Sequence, residues 1–411
     1  MQGKGRVLFI SYDGLTDPLG RSQILPYFVG LSSLAYKIHI LSFEKANRFE
    51  QDKDEILAIT KANNIEWHPL RYTSKPPIFS TLYDLYQMYQ TANLLHKKYS
   101  FSFIHARSYL SALIALEMKK KYSLPFIFYI RGFWADERVE GKIWNIKNPI
   151  FNVIYKYFKK KEKQYLLKSD YNISLTDAGI AEIRTWNGFK NIPFEMIPCC
   201  ADMDLFSFSS YTEFDKKNVR KDLGINNSAF VVSYLGSIGT WYMFDEMLDF
   251  FSKLKEKKPD AHFLFISKES EQMLKSIAEK KGILANDISV VAASRNQVPQ
   301  YLNASDVNLF FIIPTFSKKA SSPTKLAEAL GMGIPIIANT GVGDVDAIIQ
   351  TNKLGLLVNN FSSIEFENII NNLDKLNDIS KEHLHETANS LFSLEAGVKK
   401  YELVYKKLLK E

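Results

Sequence analysis

Short apolar runs alternate with longer amphipathic segments along almost the whole chain. Five runs in the first half have the length and composition of buried strands, with room between them for crossover helices: RVLFISY, KIHILSF, FSFIHARS, PFIFYIRG and YNISLT. After a polar stretch at 209–227 the pattern restarts with FVVSYLG, AHFLFIS, ISVVAA, VNLFFIIP, IPIIANT and LGLLVN. This alternation predicts an α/β protein of two tandem, Rossmann-like, doubly wound domains with parallel sheets.

The interruption of the pattern sets the predicted domain boundaries. We expect a first domain over residues 1–200 and a second over 201–390. The remaining segment, 391–411, carries apolar residues on one side of a helical repeat and predicts a single amphipathic helix.

Composition narrows the class of protein without choosing a ligand. The chain has 411 residues, 46% hydrophobic and 24% charged, which suits two globular domains with a core each. A net charge of +7 fits an acidic small molecule, an anionic membrane surface or nucleic acid equally well. Cys199 and Cys200 are adjacent and form neither a disulfide framework nor a zinc site, so a reducing cytoplasm is the simplest setting. No stretch approaches about 20 apolar residues, so the protein is expected to be soluble or peripheral.

The segment KKASSPTKLAEALGMGIPIIANTG, from Lys318 to Gly341, predicts a helix that begins close to several lysines. Ser322 is the expected N-cap and Pro323 the expected first helical residue. The helix is expected to run through Leu330.

The charges at this predicted helix start indicate an anionic ligand. A helix N-terminus carries partial positive charge, so stability alone would favour an acid there. Lys325 would instead be the third helical residue, with Lys318 and Lys319 just upstream. The helix follows VNLFFIIP, and ligands of open α/β sheets bind beyond the carboxyl ends of strands. The helix start, including Ser322 and Thr324, is therefore predicted to bind phosphate together with these lysines.

Glu328 lies one turn further into the same predicted helix. Its carboxylate can accept hydrogen bonds from two neighbouring hydroxyls of a sugar or ribose, which a lysine cannot do. The alternative interpretation is an ordinary solvated helix surface.

Four stretches resemble the retaining glycosyltransferases of family 4, and they follow one another along the chain in the same order as in that family. They are MIPCCADMDLF at the domain junction, ASDVNLFF, SPTKLAEALGMGIPIIA and, at the end, FSLEAGVKKYELVYKKLL. The resemblance covers nearly the whole chain. It implies the GT-B fold, in which two Rossmann-like domains face a cleft and the C-terminal helix crosses back to the first domain. It also implies that the helix after VNLFFIIP holds the diphosphate of a nucleotide-sugar and that Glu328 contacts the donor ribose.

The chain departs from the family pattern at the expected donor site. The first glutamate of the family's Glu-x7-Glu motif falls at Ala320. The family's Arg and Lys, six residues apart after the first strand of the second domain, correspond to Ser237 and Met243 in LGSIGTWYM. That cationic pair is missing, while Gly236 and Ser237 remain candidates for donor binding.

Arg131 stands where the family has a histidine near the reacting sugar, at the end of PFIFYIRG. A guanidinium does not act as a base at neutral pH, but it can neutralise a departing diphosphate. We therefore predict that Arg131, Lys319 and Lys325 replace the missing pair, with Arg131 and Lys325 as the catalytic cations. The alternative is an ion pair of Arg131 with Asp136 or Glu137 that only stabilises the fold.

The loop SYDGLTDPLGRSQILPY follows the first strand and corresponds to the family loop between donor phosphate and acceptor. Gly20 allows close approach of the backbone to a ligand, and with residues 21–23 it is predicted on the phosphate side. Asp13 and Asp17 are predicted to face an acceptor hydroxyl. A simple Asp-Pro turn is the alternative.

Two further strand ends carry candidate residues. Arg295 in ASRNQV lies where the family's loop meets the nucleotide base, so it is a candidate for donor binding. His105 and Arg107 in IHARSY end a first-domain strand and are candidates for the acceptor side. The alternative for His105 is a structural role, with its hydrogen bonds made within the protein.

The resemblance implies transfer of a hexose from a nucleoside-diphosphate sugar, with a UDP-sugar expected, to a hydroxyl of a glycan or lipid-linked glycan. The anomeric configuration would be retained. The site would have to stabilise the charge on the leaving diphosphate and hold the acceptor hydroxyl on the same face of the sugar. No metal, cofactor or nucleic acid is expected, and no compact Asp/His cluster is present in the sequence. Cys199 and Cys200 replace the family's Asn-Gly pair and are expected to be buried structural thiols.

The acceptor is the least defined part of this prediction. YKYFKKKEKQYLLKSD, residues 155–170, interleaves lysines with aromatic and aliphatic residues as an interfacial helix does. The alternative is an ordinary crossover helix with a solvated basic face. Contact with an anionic membrane would favour a lipid-linked acceptor in cell-surface polysaccharide synthesis, with the protein cytoplasmic and peripheral at the inner face of the plasma membrane.

Two other functions are compatible with the same sequence. A nucleotide-sugar epimerase of this fold would need acid and base residues in the cleft and no acceptor. A catalytically silent subunit that binds a nucleotide-sugar is consistent with the missing Arg/Lys pair and the missing first glutamate.

Overall fold

The computed structural model describes residues 4–410. The chain divides into two compact units, of which unit 1 comprises Met1–Pro198 with Leu394–Glu411 and unit 2 comprises Cys199–Ser393.

Within residues 4–410, the sheet of unit 1 has seven strands, all parallel to their neighbours. The strands are β1 (Gly5–Ser11), β2 (Tyr36–Glu44), β3 (Glu66–Arg71), β4 (Phe103–Arg107), β5 (Phe126–Tyr129), β6 (Tyr171–Ser174) and β7 (Phe194–Met196). Their order across the sheet is β3-β2-β1-β4-β5-β6-β7. The five strands predicted for this half are confirmed, and the two edge strands, β3 and β7, were not predicted.

The helices of unit 1 that precede the junction cover the faces of this sheet. They are α1 (Pro18–Gln23), α2 (Leu25–Ser33), α3 (Ala46–Ala62), α4 (Phe79–Tyr99), α5 (Ser108–Tyr122), α6 (Trp134–Glu140), α7 (Pro149–Lys168) and α8 (Asp177–Arg184). Every residue of β4 and β5 is buried. A parallel sheet covered on both faces has this burial, and it explains why the strands are continuous apolar runs.

Unit 2 contains six parallel strands among its described residues. They are β8 (Val231–Leu235), β9 (His262–Ile266), β10 (Ile288–Val291), β11 (Val307–Phe310), β12 (Ile336–Asn339) and β13 (Gly355–Val358). The order is β10-β9-β8-β11-β12-β13. All six strands predicted for this half are confirmed.

The helices of unit 2 pack around an apolar core that includes β8, β9 and β11. They are α9 (Glu213–Asp222), α10 (Phe244–Lys257), α11 (Glu271–Glu279), α12 (Val298–Leu302), α13 (Thr324–Gly331), α14 (Val345–Asn352), α15 (Ser363–Asn371) and α16 (Lys381–Phe392). Short 3-10 turns lie at Phe208–Ser210, Ala285–Asp287, Arg295–Gln297, Phe316–Ala320 and Leu373–Asp378.

The last helix, α17 (Leu394–Leu409), belongs to unit 1 and packs against α2. Its buried face includes Val398, Tyr401, Val404 and Tyr405. An amphipathic C-terminal helix is present as predicted, but it begins at Leu394, and the start of the predicted 391–411 segment, through Phe392, belongs to α16.

Each sheet reverses its direction of winding once, between two neighbouring strands. In unit 1 the reversal lies between β1 and β4, and in unit 2 between β8 and β11. Loops that leave these strands in opposite directions open a crevice at the carboxyl edge, where ligands of this class of sheet bind. The structure therefore places one candidate crevice in each unit. None of the helices described is long and apolar enough for a membrane span.

Candidate functional site

The helix that follows β11 starts one residue later than predicted. Helix α13 begins at Thr324, with Pro323 in the N-cap position and no capping side chain. The Ser322 hydroxyl accepts a hydrogen bond from the Cys199 backbone N–H at 3.1 Å. The predicted N-cap role of Ser322 is therefore wrong, because this hydroxyl is used to fix the chain at Cys199. Lys325 becomes the second helical residue rather than the third.

Lys325 is buried, and its ammonium lies against two aromatic rings. Nζ is 4.0 Å from the ring centroid of Tyr234 and 3.7 Å from that of Tyr242. The side chain is 4% exposed, and Nζ has no hydrogen-bond partner among the described residues. Burial holds the pKa of Lys325 well below its ordinary value. A buried cation without a hydrogen-bond acceptor is costly, so its presence indicates a ligand that supplies one.

The loop after β8 passes directly beside this ammonium. Gly236 has a φ of +113°, and a Cβ placed on it would lie 3.6 Å from Lys325 Nζ. The Ser237 carbonyl accepts a hydrogen bond from the Tyr234 hydroxyl at 2.7 Å. Gly236 and Lys325 therefore meet at the reversal between β8 and β11, as their assignment to one donor site requires.

The two aromatic residues of this loop were not singled out from the sequence. Besides Tyr242, Trp241 contacts the buried Lys318, whose Nζ lies 3.7 Å from a ring centroid of the indole. Lys319 is exposed, and its Nζ lies 5.4 Å from the Phe316 ring. The sequence offered one signal for these residues, because an adjacent Trp-Tyr pair and a lysine-rich segment each follow a predicted strand. That the rings lie next to the lysines depends on the tertiary fold.

Glu328 and Arg295 form an ion pair, with 3.0 Å between Arg295 Nη1 and Glu328 Oε1. Glu328 is buried, which raises its pKa, while the Arg295 cation acts in the opposite direction. The Arg295 guanidinium also lies 5.3 Å from the Phe206 ring. The structure thus brings together two residues that the sequence assigned separately to ribose and base.

In unit 1 the reversal between β1 and β4 contains Asp13 and Arg107. Arg107 is buried, and its Nε lies 3.4 Å from Asp13 Oδ2. Its Nη1 donates to the Gln23 carbonyl at 3.2 Å. Burial lowers the Arg107 pKa, and the nearby Arg131 cation adds to this effect. The half-exposed Asp13 carboxylate is thereby held at the carboxyl edge of the sheet.

His105 lies in the core of unit 1. Its Nδ1 is 2.9 Å from the Tyr405 hydroxyl, and its ring meets Phe9 edge-on. Burial, with a smaller contribution from Arg107, lowers the His105 pKa to about 3. This geometry favours the structural alternative for His105 over an acceptor-side role.

The other residues of the first loop have partners within unit 1. The Asp17 carboxylate accepts hydrogen bonds from Lys45 at 3.0 Å and from Arg48. A Cβ on Gly20 would lie 2.0 Å from the Gly14 carbonyl oxygen, so the packing of the loop itself requires this glycine. These contacts favour a structural turn over the predicted ligand contacts of Asp17 and Gly20.

Arg131 follows β5 with a φ of +58°, and its Nη1 donates to the Tyr129 hydroxyl at 3.0 Å. The Asp136 carboxylate, one of its alternative partners, accepts hydrogen bonds from Tyr155 at 2.8 Å and Lys159 at 2.7 Å.

Helix α7 contains most of the basic segment predicted as an interfacial helix. Phe158, Tyr165 and Leu166 are buried, and Lys159 bridges the carboxylates of Asp136 and Glu162. This part of the segment is therefore a crossover helix packed on the sheet. Cys199 and Cys200 are buried thiols, as predicted.

Two family models match the chain, one in each half. The model described as Glycosyltransferase Family 4 matches residues 29–205, and the model described as Glycosyl transferases group 1 matches residues 215–390. The chain belongs to the family 4 glycosyltransferases.

A curated relative of this glycosyltransferase is D-inositol 3-phosphate glycosyltransferase of Segniliparus rotundus, which is 21% identical over 272 residues. The match covers 65% of the present chain, and the chain spans only 57% of that relative's length.

Solved structures at 15% identity share its fold. Sucrose-phosphate synthase from Thermosynechococcus elongatus superposes with a TM-score of 0.74, covering 99% of both chains. The Anabaena protein HepE, solved with UDP and glucose, superposes with a TM-score of 0.70, covering 98% of this chain and 100% of its own. The predicted GT-B fold class is therefore confirmed.

Proposed function

We propose that the protein is a retaining glycosyltransferase that moves a hexose from a UDP-sugar to a hydroxyl of a glycan or lipid-linked glycan. The family supports the reaction class, and the structures of Anabaena HepE with UDP and with UDP-glucose support the donor class. Metal independence, a role in cell-surface polysaccharide synthesis and a peripheral position at the inner membrane face are further parts of the proposal.

The observation that carries the proposal is the buried ammonium of Lys325 beside Gly236. In this proposal the donor diphosphate binds there and supplies the hydrogen-bond acceptor that Nζ lacks. The sugar C1–O bond to the diphosphate breaks, the acceptor oxygen bonds to C1 on the same face, and its proton passes to the departing diphosphate. Lys325 stabilises the negative charge that grows on the leaving diphosphate. Lys319 and the backbone at Ser322 and Thr324 complete the phosphate site.

Glu328 and Arg295 are proposed to hold the nucleoside. The Glu328 carboxylate can accept both ribose hydroxyls while it remains paired with Arg295, and the guanidinium fixes its orientation. Gly236 and Ser237 line the same site from the loop after β8.

On the acceptor side we propose Asp13 and Arg107 as the groups that position the acceptor hydroxyl. The proposed role of Arg131 is to neutralise charge on the leaving group. His105 and Asp17 act on this site only through the packing of unit 1.

The proposal is tested by measuring donor binding and turnover in the wild type and in Lys325→Met. Nucleotide-sugars are screened by thermal shift, because a ligand at 100 times its Kd stabilises the folded protein by about 2.7 kcal/mol. Release of UDP is then followed with the best donor, and the anomeric form of the product is read by NMR. Lys325→Met should bind the donor more weakly and turn over roughly 100-fold more slowly, on the scale of one lost oxyanion donor.

The matched control is Lys280→Met, which removes an exposed lysine of the same unit. Melting temperatures establish that both variants are folded. A protein that is stabilised by no nucleotide-sugar and releases no UDP would contradict the proposed function. A folded Lys325→Met enzyme with normal turnover would show that Lys325 is not part of the catalytic site.

A further inference from the structure

Five large apolar side chains are exposed between α6 and the middle of α7. Ile143, Ile146, Ile150, Val153 and Tyr157 each expose between 44% and 68% of their surface. All lie within residues 142–160, which we call the basic apolar surface. Several large apolar side chains exposed within one short stretch of chain are typical of interaction sites.

The charge of the basic apolar surface has a single sign. Residues 142–160 contain five lysines and no aspartate or glutamate. One of them, Lys159, points inward and pairs with Asp136 and Glu162. The other four are exposed: Lys142, Lys147, Lys156 and Lys160.

Helix α4 extends the apolar character along the same side of unit 1. The connections from β3 to β4, β4 to β5 and β5 to β6 run in one direction across the sheet, so right-handed crossovers place α4, α5 and α7 on one face. Both α4 and α7 pack against α5. The N-terminal half of α4 exposes Phe79, Leu82, Tyr83 and Tyr86.

The combination of charges and apolar residues selects the partner. A second copy of the chain would set lysines against lysines, because residues 142–160 offer no carboxylate to pair with them. An anionic bilayer complements both features, since phosphate headgroups attract the lysines while isoleucine, valine and tyrosine side chains enter the boundary with the acyl chains.

We propose that residues 142–160 dock unit 1 onto an anionic lipid bilayer. The docking surface begins upstream of the segment that the sequence indicated and overlaps it only over 155–160, because the apolar residues of 158–166 are used in the core. The inference rests on the proposed function for its biological meaning, since a bilayer-bound glycosyltransferase meets a lipid-linked acceptor directly. The binding itself is independent of catalysis.

The first test measures flotation of the full chain with phosphatidylcholine vesicles that contain or lack phosphatidylglycerol, at about 50 mM salt, where surface charges are weakly screened. Wild type should bind the anionic vesicles and lose binding as salt rises. Lys156→Gln with Lys160→Gln should weaken binding roughly 30-fold, because each charge near the surface contributes about a fivefold factor in affinity. The charge-matched control, Lys268→Gln with Lys280→Gln, changes two exposed lysines of unit 2 and should bind as wild type does.

The second test removes apolar surface without changing charge. Ile150→Ser with Val153→Ser should weaken binding to anionic vesicles even at the lowest salt. The control, Leu284→Ser with Ile364→Ser, alters equally exposed residues of unit 2 and should have no effect. Melting temperatures and UDP release are measured for every variant and should match those of wild type.

Three outcomes would overturn the proposal. The first is that wild type does not bind anionic vesicles at low salt. The second is that the control variants lose as much binding as the surface variants. The third is a dimer, detected by sedimentation, that only Ile150→Ser with Val153→Ser dissociates, because the surface would then be a contact between copies. A protein that binds vesicles yet never turns over a nucleotide-sugar would leave the surface standing and contradict the proposed function alone.

Discussion

Lys325 is held by aromatic rings where a carboxylate counter-ion would be expected. The faces of Tyr234 and Tyr242 attract the ammonium without neutralising it, a contact that contributes about 2 kcal/mol or more when desolvated. Glu328 lies on the same helix but is already paired with Arg295. Glu328 therefore forms no ion pair with Lys325, and in the proposed site the Lys325 ammonium takes the role of the Arg/Lys pair that the chain lacks.

Tyr242→Leu should make donor binding more sensitive to pH. The pKa of Lys325 is depressed by burial, so its ammonium is lost, and UDP affinity falls, as pH rises through that depressed value. Removing the ring face disfavours the charged form further, so the fall should move to lower pH in Tyr242→Leu. Tyr242→Phe keeps the ring and should follow wild type.

The measurement is the Kd of UDP by calorimetry between neutral and alkaline pH. Lys325→Met should lack this pH-dependent loss of affinity. Superimposable profiles for wild type and Tyr242→Leu would show that the ring does not control the ammonium.

Among the elements, α17 and α2 pack closely through a glycine. A Cβ on Gly30 would lie 2.6 Å from Cγ2 of Val398, whose branched side chain has little rotameric freedom. Glycine in a helix interior normally costs about 1 kcal/mol relative to alanine. Its use here indicates that close packing of α2 on α17 contributes more stability than the helix propensity that glycine loses.

Gly30→Ala should destabilise unit 1, because overpacking of about 1–3 kcal/mol outweighs the gain in helix propensity. In a Val398→Ala background the same change should stabilise, since the colliding methyl is gone and only the propensity term remains. Urea denaturation of the four proteins of this double-mutant cycle measures the coupling. Additive effects would mean that α2 and α17 are not in register as described.

At the scale of the whole molecule, buried and partly buried histidines make stability depend on pH. Burial lowers the pKa of five of them across both units: His39, His68, His96, His105 and His262. A group whose folded pKa lies below its unfolded value is protonated first in the unfolded chain. Stability is therefore fully present above the ordinary histidine pKa and is lost as pH falls from there toward the folded value. The raised pKa values of Glu162 and Glu328 act in the opposite sense, toward stability at low pH.

His105 gives the clearest test, because its pKa in the folded protein is about 3. It should account for about 2 kcal/mol of the stability lost between pH 7 and pH 5, given 1.36 kcal/mol per pKa unit. His105→Phe should be less stable than wild type at pH 7, since Tyr405 loses its hydrogen-bond partner, but the gap should narrow at pH 5. Urea denaturation of the full chain at both pH values makes the comparison, and an unchanged gap would contradict a neutral, buried His105.

The sequence by itself determined the two parallel sheets, because strands covered on both faces must be continuous apolar runs. The edge strands β3 and β7 were not predicted. Strand β3 is half exposed and contains Pro69, and β7 has only three residues. The sequence also identified Lys325 and Glu328 as candidates, since an N-terminal lysine and a following acid are local features of one helix.

Only the tertiary structure decided what surrounds these residues. The rings at Tyr234 and Tyr242, the Arg295–Glu328 pair and the inward turn of Lys159 all join positions that different elements bring together. Local pattern reports the face on which a side chain lies, whereas burial, pKa and partner depend on what the fold packs against that face.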